Sequence, residues 1–145
     1  MTGAAAAVRL ALPYPVSANR YWRPVNIGKH ITIVPTKEAK AYKAEVAAIV
    51  RKHMAKPIAG RVIVGLQLYP HRPQDWATRQ RKQGDAWDDS VQCIDLDNAR
   101  KVVLDALKGC AIEDDRWVYR DHGERMEPDA HGARIVVSIE PYLRS

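Results

Sequence analysis

Val8, Leu10 and Leu12 alternate with Arg9 and Ala11. That period of two predicts a first strand, which Pro13 and Pro15 end. Residues 17–23, Ser-Ala-Asn-Arg-Tyr-Trp-Arg, read as a turn running into an aromatic and basic stretch. Asn26–Lys29 has turn chemistry, and His30–Val34 reads as a short returning strand. From Thr36 the period changes. Ala39, Tyr42, Val46, Ile49, Val50 and His53 follow helical spacing, with Thr36 as the candidate cap and Glu38 suited to the positive end of the helix dipole. Pro57 and Gly60 close this helix. Its other face carries Lys37, Lys40, Lys43, Arg51 and Lys52, either a solvated surface or one turned toward DNA.

Val62, Val64, Leu66 and Leu68 alternate again and predict a strand. Residues 71–92 then turn polar and read as a long loop, in which Arg and Lys interleave with Trp76 and Trp87. Loops of that length are often functional, and this mixture suits phosphates and exposed bases. For each tryptophan taken singly, tucking onto the domain is the favoured reading. Val91–Leu96 reads as a strand edge entering a second helix over roughly Asn98–Lys108. Its apolar stripe is Ala99, Val102, Val103, Ala106 and Leu107, and Gly109 is its stop. An acidic turn follows at residues 111–115. Trp117–Arg120 and Arg134–Glu140 read as further strands, with polar, turn-rich sequence between them.

The length of 145 residues, with 46% hydrophobic and 28% charged, predicts one globular domain over residues 8–145 behind a disordered leader, 1–7. No run approaches the roughly 18 apolar residues of a membrane span. Cys93 and Cys110 are too few for a disulfide framework and lack zinc-ligand spacing, so a reducing cytoplasm is the expected compartment. Lys and Arg number 23 against 17 Asp and Glu, a net +6. The surplus favours a polyanionic partner. Four of the acids sit in two tight pairs, Asp95 with Asp97 and Asp114 with Asp115, so a concentrated acidic spot lies in a basic body.

Asp95 and Asp97, two apart in what reads as an extended segment, would share one face. Asp97 stands where the helix cap should be, which by itself would explain an aspartate there. Capping would leave Asp95 unexplained. Same-side carboxylates repel unless protonated or bridged by a cation, and oxygen ligands without His or Cys favour Mg²⁺ or Mn²⁺. Lys101 lies four residues after Asp97, one turn on. It suits an i,i+4 ion pair, or a group that stabilises charge on a phosphate. The acidic turn either folds back toward the helix start or stays at its far end, and a solvated turn is its plain reading.

Asp95-Leu-Asp97-Asn98-x-x-Lys101, then Asp105-Ala106-Leu107 and Asp114-Asp115, resembles the RusA family of Holliday junction resolvases. Pro15-x-Ser17-x-Asn19-Arg20-Tyr21-Trp22-Arg23 is similar to that family's N-terminal signature. The basic, Trp-containing segment 71–92 is an insertion relative to shorter members, and Cys93-Ile94 replaces the basic residues that precede the first aspartate there. The resemblance implies a single small α/β (α+β) domain, with a mixed sheet and two main helices. It also implies a homodimer and Mg²⁺-dependent resolution of four-way junctions by paired nicks. Asp95, Asp97, Lys101 and Asp115 match the catalytic residues. Asp95, Asp97 and Asp115, with Asp114 beside it, match the metal ligands. Asn19, Arg20, Arg23, Arg72, Arg79, Arg81, Lys82 and Arg100 are the DNA-facing candidates.

Two rivals remain: a non-catalytic junction or single-strand binding protein, which the basic, Trp-containing loop suits but which leaves the clustered aspartates without a purpose, and a less selective flap or fork nuclease that uses the same residues. A third, based on an HNH histidine pair, is disfavoured because His30, His53, His71, His122 and His131 are scattered.

Overall fold

The alternating run at 62–68 becomes the central strand of the molecule. The computed structural model describes residues 7–144, so the expected leader lies outside the described residues apart from Ala7. Among the described residues six strands run in chain order: β1 (Val8–Pro13), β2 (Trp22–Ile27), β3 (His30–Pro35), β4 (Val62–Tyr69), β5 (Val118–Arg125) and β6 (Arg134–Pro141). Four α-helices intervene: α1 (Ala18–Tyr21), α2 (Lys37–Arg51), α3 (Trp76–Gln83) and α4 (Leu96–Leu107). The main sheet has the order β1-β6-β4-β5, and β2 and β3 form a separate hairpin. β4 is antiparallel to β6 and parallel to β5, so the sheet is mixed.

The helices cover one face of this sheet. Val62, Val64 and Leu68 of β4 and Ile135, Val137 and Ile139 of β6 are fully buried against them. Tyr42, Val46 and Val50 of α2 and Val102, Val103 and Leu107 of α4 supply the other half of the core. Each such aliphatic side chain contributes about 1.5–3 kcal/mol when taken from water. Thr36 caps α2 as expected, its hydroxyl accepting from the Ala39 amide at 3.1 Å.

Four local expectations are corrected. First, α4 starts at Leu96, not Asn98, and its cap is Asp95, whose carboxylate accepts from the Asn98 amide at 2.8 Å. Asp97 therefore lies inside the first turn, and the two aspartates do not sit in one extended segment. Second, 91–95 forms no strand; the chain goes into α4 directly. Third, the segment 71–92 is not a plain loop. It holds α3 and a 3-10 helix over Gly84–Ser90. Long-range bonds organise it: the buried Trp87 donates from Nε1 to Glu127 at 2.8 Å, and Arg125 donates to the Asp88 and Val91 carbonyls, both at 2.9 Å. Fourth, β5 runs to Arg125, well past Arg120, because it pairs along β4 up to Leu68.

Candidate active site

The apolar stripe of α4 fixes which way its polar face points. With Ala99, Val102, Val103 and Ala106 held in the core, Asp97, Arg100 and Lys101 are left at the surface. Lys101 Nζ lies 3.4 Å from Asp97, the i,i+4 pair that the spacing suggests. At the far end of α4, Gly109 takes a φ of +85°, a conformation that glycine adopts without strain. The chain reverses there, with the Gly109 amide donating to Ile112 at 2.7 Å. The acidic turn thus folds back along the helix instead of staying at its far end. Asp115 arrives in a groove of about 340 Å³ with Arg100, Lys101, Leu104 and Asp105 of α4, and Trp22 of the hairpin.

Asp114 opens a short 3-10 turn and accepts from the Arg116 amide at 3.1 Å. That amide, with the Asp115 carboxyl beside it, holds the Asp114 carboxyl below its ordinary pKa.

Asp95 has a different setting. Besides capping α4, it accepts from the Asn98 side-chain amide at 3.2 Å. It borders a second cleft, of about 630 Å³, shared with Tyr14, Ser17, Arg20, His71 and Cys93. The Tyr14 hydroxyl accepts from the Ile94 amide at 2.7 Å, and burial pushes its pKa up to about 12. The first aspartate thus lines a cleft at the start of α4, whereas Asp115 lines one along its middle and second half, from Arg100 to Asp105. The positive end of this helix dipole favours carboxylates and phosphates alike.

Among the described residues, no group of three or more His, Cys, Asp or Glu side chains is poised to hold a metal ion. The donor chemistry nonetheless suits a hard divalent ion. Asp115 in the groove and Asp97, the ion-pair partner of the groove's Lys101, are exposed carboxylates, and the groove lining holds no His or Cys among the described residues.

The DNA-facing candidates divide. Asn19, Arg20 and Arg23 are exposed on α1 and the start of β2. Arg100 pairs with Asp121 of β5 and also lines the groove. Arg72 lies 4.3 Å over the Trp76 ring. Arg79 stitches the insertion internally, 2.9 Å from Asp75 and 3.3 Å from the Ser90 carbonyl. Arg81 bonds Thr78 at 3.3 Å, and Lys82 is exposed.

Four further contributors, Asp105, Tyr21, Trp22 and Arg116, carry no role that the sequence alone assigns. Asp105 accepts from the Tyr21 hydroxyl and lies 3.1 Å from Lys43 Nζ, tying α1, α2 and α4 together beneath the groove. Burial, with this carboxylate next to it, raises the Tyr21 phenol well above its ordinary pKa. Trp22 and Arg116 complete the groove wall. Tyr21 and Trp22 stand in the N-terminal signature, and Asp105 in the Asp-Ala-Leu motif, so motif membership is the signal that points to these three; Arg116 follows the acidic pair with no motif of its own.

The family model for endodeoxyribonuclease RusA matches residues 13–140. No curated protein matches the chain.

Proposed function

The chain belongs to the RusA family of endodeoxyribonucleases, and on that premise we propose that it resolves four-way DNA junctions by paired, Mg²⁺-dependent nicks. The observation that carries this reading is the groove along α4, where Asp115 returns beside Lys101, whose other face meets Asp97 in an ion pair. Asp95, Asp97 and Asp115, with Asp114 beside it, would hold Mg²⁺ or Mn²⁺. Such an ion supplies Lewis-acid polarisation of the scissile phosphate and acidifies an attacking water.

The chain's own groups do the rest. Lys101 offsets charge that gathers on phosphate or leaving oxygen, a contribution worth about 3 kcal/mol for a preorganised group. The N-terminus of α4 adds favourable potential for the phosphate. Arg20, Arg23, Arg72, Arg81, Lys82 and Arg100, with Asn19, steady the flanking arms. The substrate would be met in the cytoplasm, and none of the described helices is long and apolar enough to cross a membrane.

A four-way junction has approximate two-fold symmetry, and two symmetric nicks require two sites. A two-fold homodimer supplies them. The hairpin supports this, because Ile31 and Ile33 share one of its faces and are 71% and 61% exposed, an apolar strip that a second copy would cover.

One observation favours the rival of a non-catalytic binding protein: the carboxylates among the described residues do not form a cluster of three in a single chain. Cleavage of a strand-labelled four-way junction in Mg²⁺ and in EDTA decides between them. Symmetric nicks in Mg²⁺ alone support resolution. Binding without cleavage in both buffers would overturn it, and equal cutting of forks and linear duplex would point to the less selective nuclease. A monomeric mass for the junction-bound protein by light scattering would contradict the dimer.

A further inference from the structure

Among the described residues, the main sheet has helices on one side only. Ile63, Gly65, Gln67 and Tyr69 of β4 alternate with the buried residues and face away from the core. Their cross-strand neighbours on this side include Ser138 and Val136 of β6, Arg9 of β1, and Arg120, His122 and Glu124 of β5. A Cβ added at Gly65 would lie 2.5 Å from His122 and 2.6 Å from Ser138. Those side chains lean over the bare backbone and leave a shallow hollow of about 250 Å³.

At one end of this face the side chains are aromatic and cationic. The Tyr119 and Tyr142 rings are 5.5 Å apart. Arg61 lies 4.6 Å over Tyr119, and Arg120 lies 5.3 Å over Tyr142. A third such pair, Arg134 over Tyr69 at 3.9 Å, lies toward the other end. Tyr119 is 45% exposed. Arg9, Arg61 and Arg120 are exposed and make no ion pair among the described residues. Glu124 and Glu140 are the acids of the face, so cations outnumber them.

We propose that this open sheet face is a second nucleic-acid surface, on which unpaired bases of single-stranded DNA stack on the outer planes of the Arg61–Tyr119 and Arg120–Tyr142 pairs, the guanidinium groups also offsetting the backbone charge. Charge complementarity commits the surface to a polyanion. The choice of a single strand follows from the rings, because aromatic and guanidinium planes stack on splayed bases, which a duplex keeps inside its own stack. Four-stranded sheets with one open face carry aromatics for this purpose in sheet-based RNA readers. The surface lies on the opposite side of the sheet from α4, so its binding is separable from cleavage at the groove.

The test uses the full chain and a fluorescein-labelled oligothymidylate, read by anisotropy in EDTA. Alanine at one stacking position weakens binding by about 1–3 kcal/mol per base, or 5- to 150-fold. The double variant Tyr119→Ala/Tyr142→Ala should therefore lose at least tenfold in oligothymidylate affinity, while Tyr119→Phe/Tyr142→Phe keeps it. Arg61→Gln/Arg120→Gln should weaken binding and flatten its salt dependence, and it serves in place of the alanine pair if that fails to fold by circular dichroism. Junction cleavage in Mg²⁺ should stay at the wild-type rate in all three. No binding by the wild type, or unchanged affinity in the variants, would overturn the proposal. So would a fall in particle mass in the alanine or glutamine variants, which would make the face a contact between protein chains.

Discussion

Lys101 Nζ lies 3.4 Å from the Asp97 carboxylate, and the same lysine lines the groove that Asp115 enters from the other side. As a surface ion pair this contact is worth only a few tenths of a kcal/mol, since the two side chains are 57% and 72% exposed. Lys101→Ala should accordingly leave the melting temperature within about a degree or two and junction affinity nearly normal. Single-turnover cleavage should fall roughly a hundredfold, matching the contribution of a preorganised charge in the transition state. Equal losses in affinity and cleavage rate would reduce Lys101 to a phosphate contact.

The cap position makes a sharper test of the aspartates. Asn caps a helix about as well as Asp, whereas Ala costs about 1 kcal/mol. Asp95→Asn should keep its stability and lose Mg²⁺-dependent cleavage; Asp95→Ala should lose both. Asp97→Asn and Asp115→Asn should bind junctions in EDTA at least as well as wild type, yet not cut them in Mg²⁺. Asp114→Asn should be milder, because its carboxylate already accepts from the Arg116 amide. Full cleavage by Asp95→Asn would restrict that residue to capping.

Arg79 and its neighbours Arg81 and Lys82 separate by partner. Arg79 holds the insertion together, so Arg79→Ala should lower the melting temperature. Arg81→Ala/Lys82→Ala should instead leave stability alone and reduce the slope of log affinity against log salt by about 0.9 for each phosphate that is no longer neutralised. An unchanged slope would place the insertion away from DNA.

Trp87 is 2% exposed and anchors the insertion through its bond to Glu127. Trp87→Ala should cost about 3–5 kcal/mol in denaturant unfolding, the range for deleting a buried aromatic. Trp87→Phe should cost less, because it retains part of the packing and forfeits a hydrogen bond of about 1 kcal/mol. A cost below about 1 kcal/mol for the alanine variant would mean that the insertion folds without its anchor.

Asp129 carries the pH dependence. Hydrogen bonds from Arg134 at 2.8 and 2.9 Å, with the His131 amide, hold its pKa at about 2, below the ordinary 3.8. A carboxylate with a depressed folded-state pKa adds stability above its unfolded value, and that stability is lost as pH falls from about 4 toward 2. The carboxylate is 34% exposed, so solvent screening keeps the contribution below about 1 kcal/mol. Asp129→Asn should melt below wild type at pH 6, and the gap should close near pH 2. A gap of the same size at both pH values would contradict this assignment.

Periodicity alone determined most of the scaffold. The alternating runs at 8–12, 62–68 and 134–140 became β1, β4 and β6, and the helical spacing after Thr36 became α2 with that cap. These are local signals, written in the side chains that each element buries. Motif spacing likewise brought Asp97 and Lys101 together, because four residues make one turn wherever the helix forms. Tertiary structure decided the rest. Two aspartates competed to cap α4, and Asp95 took the cap while Asp97 entered the first turn. The segment 71–92 reads as a loop because its order depends on Trp87 meeting Glu127, 40 residues away. The return of Asp115 to Lys101 required Gly109 to reverse the chain and β5 to find β4 in parallel register. The open Arg and Tyr face exists only because the helices cover the other side of the sheet. No window of sequence contains such pairings, since each gains its free energy from a partner that only folding brings near.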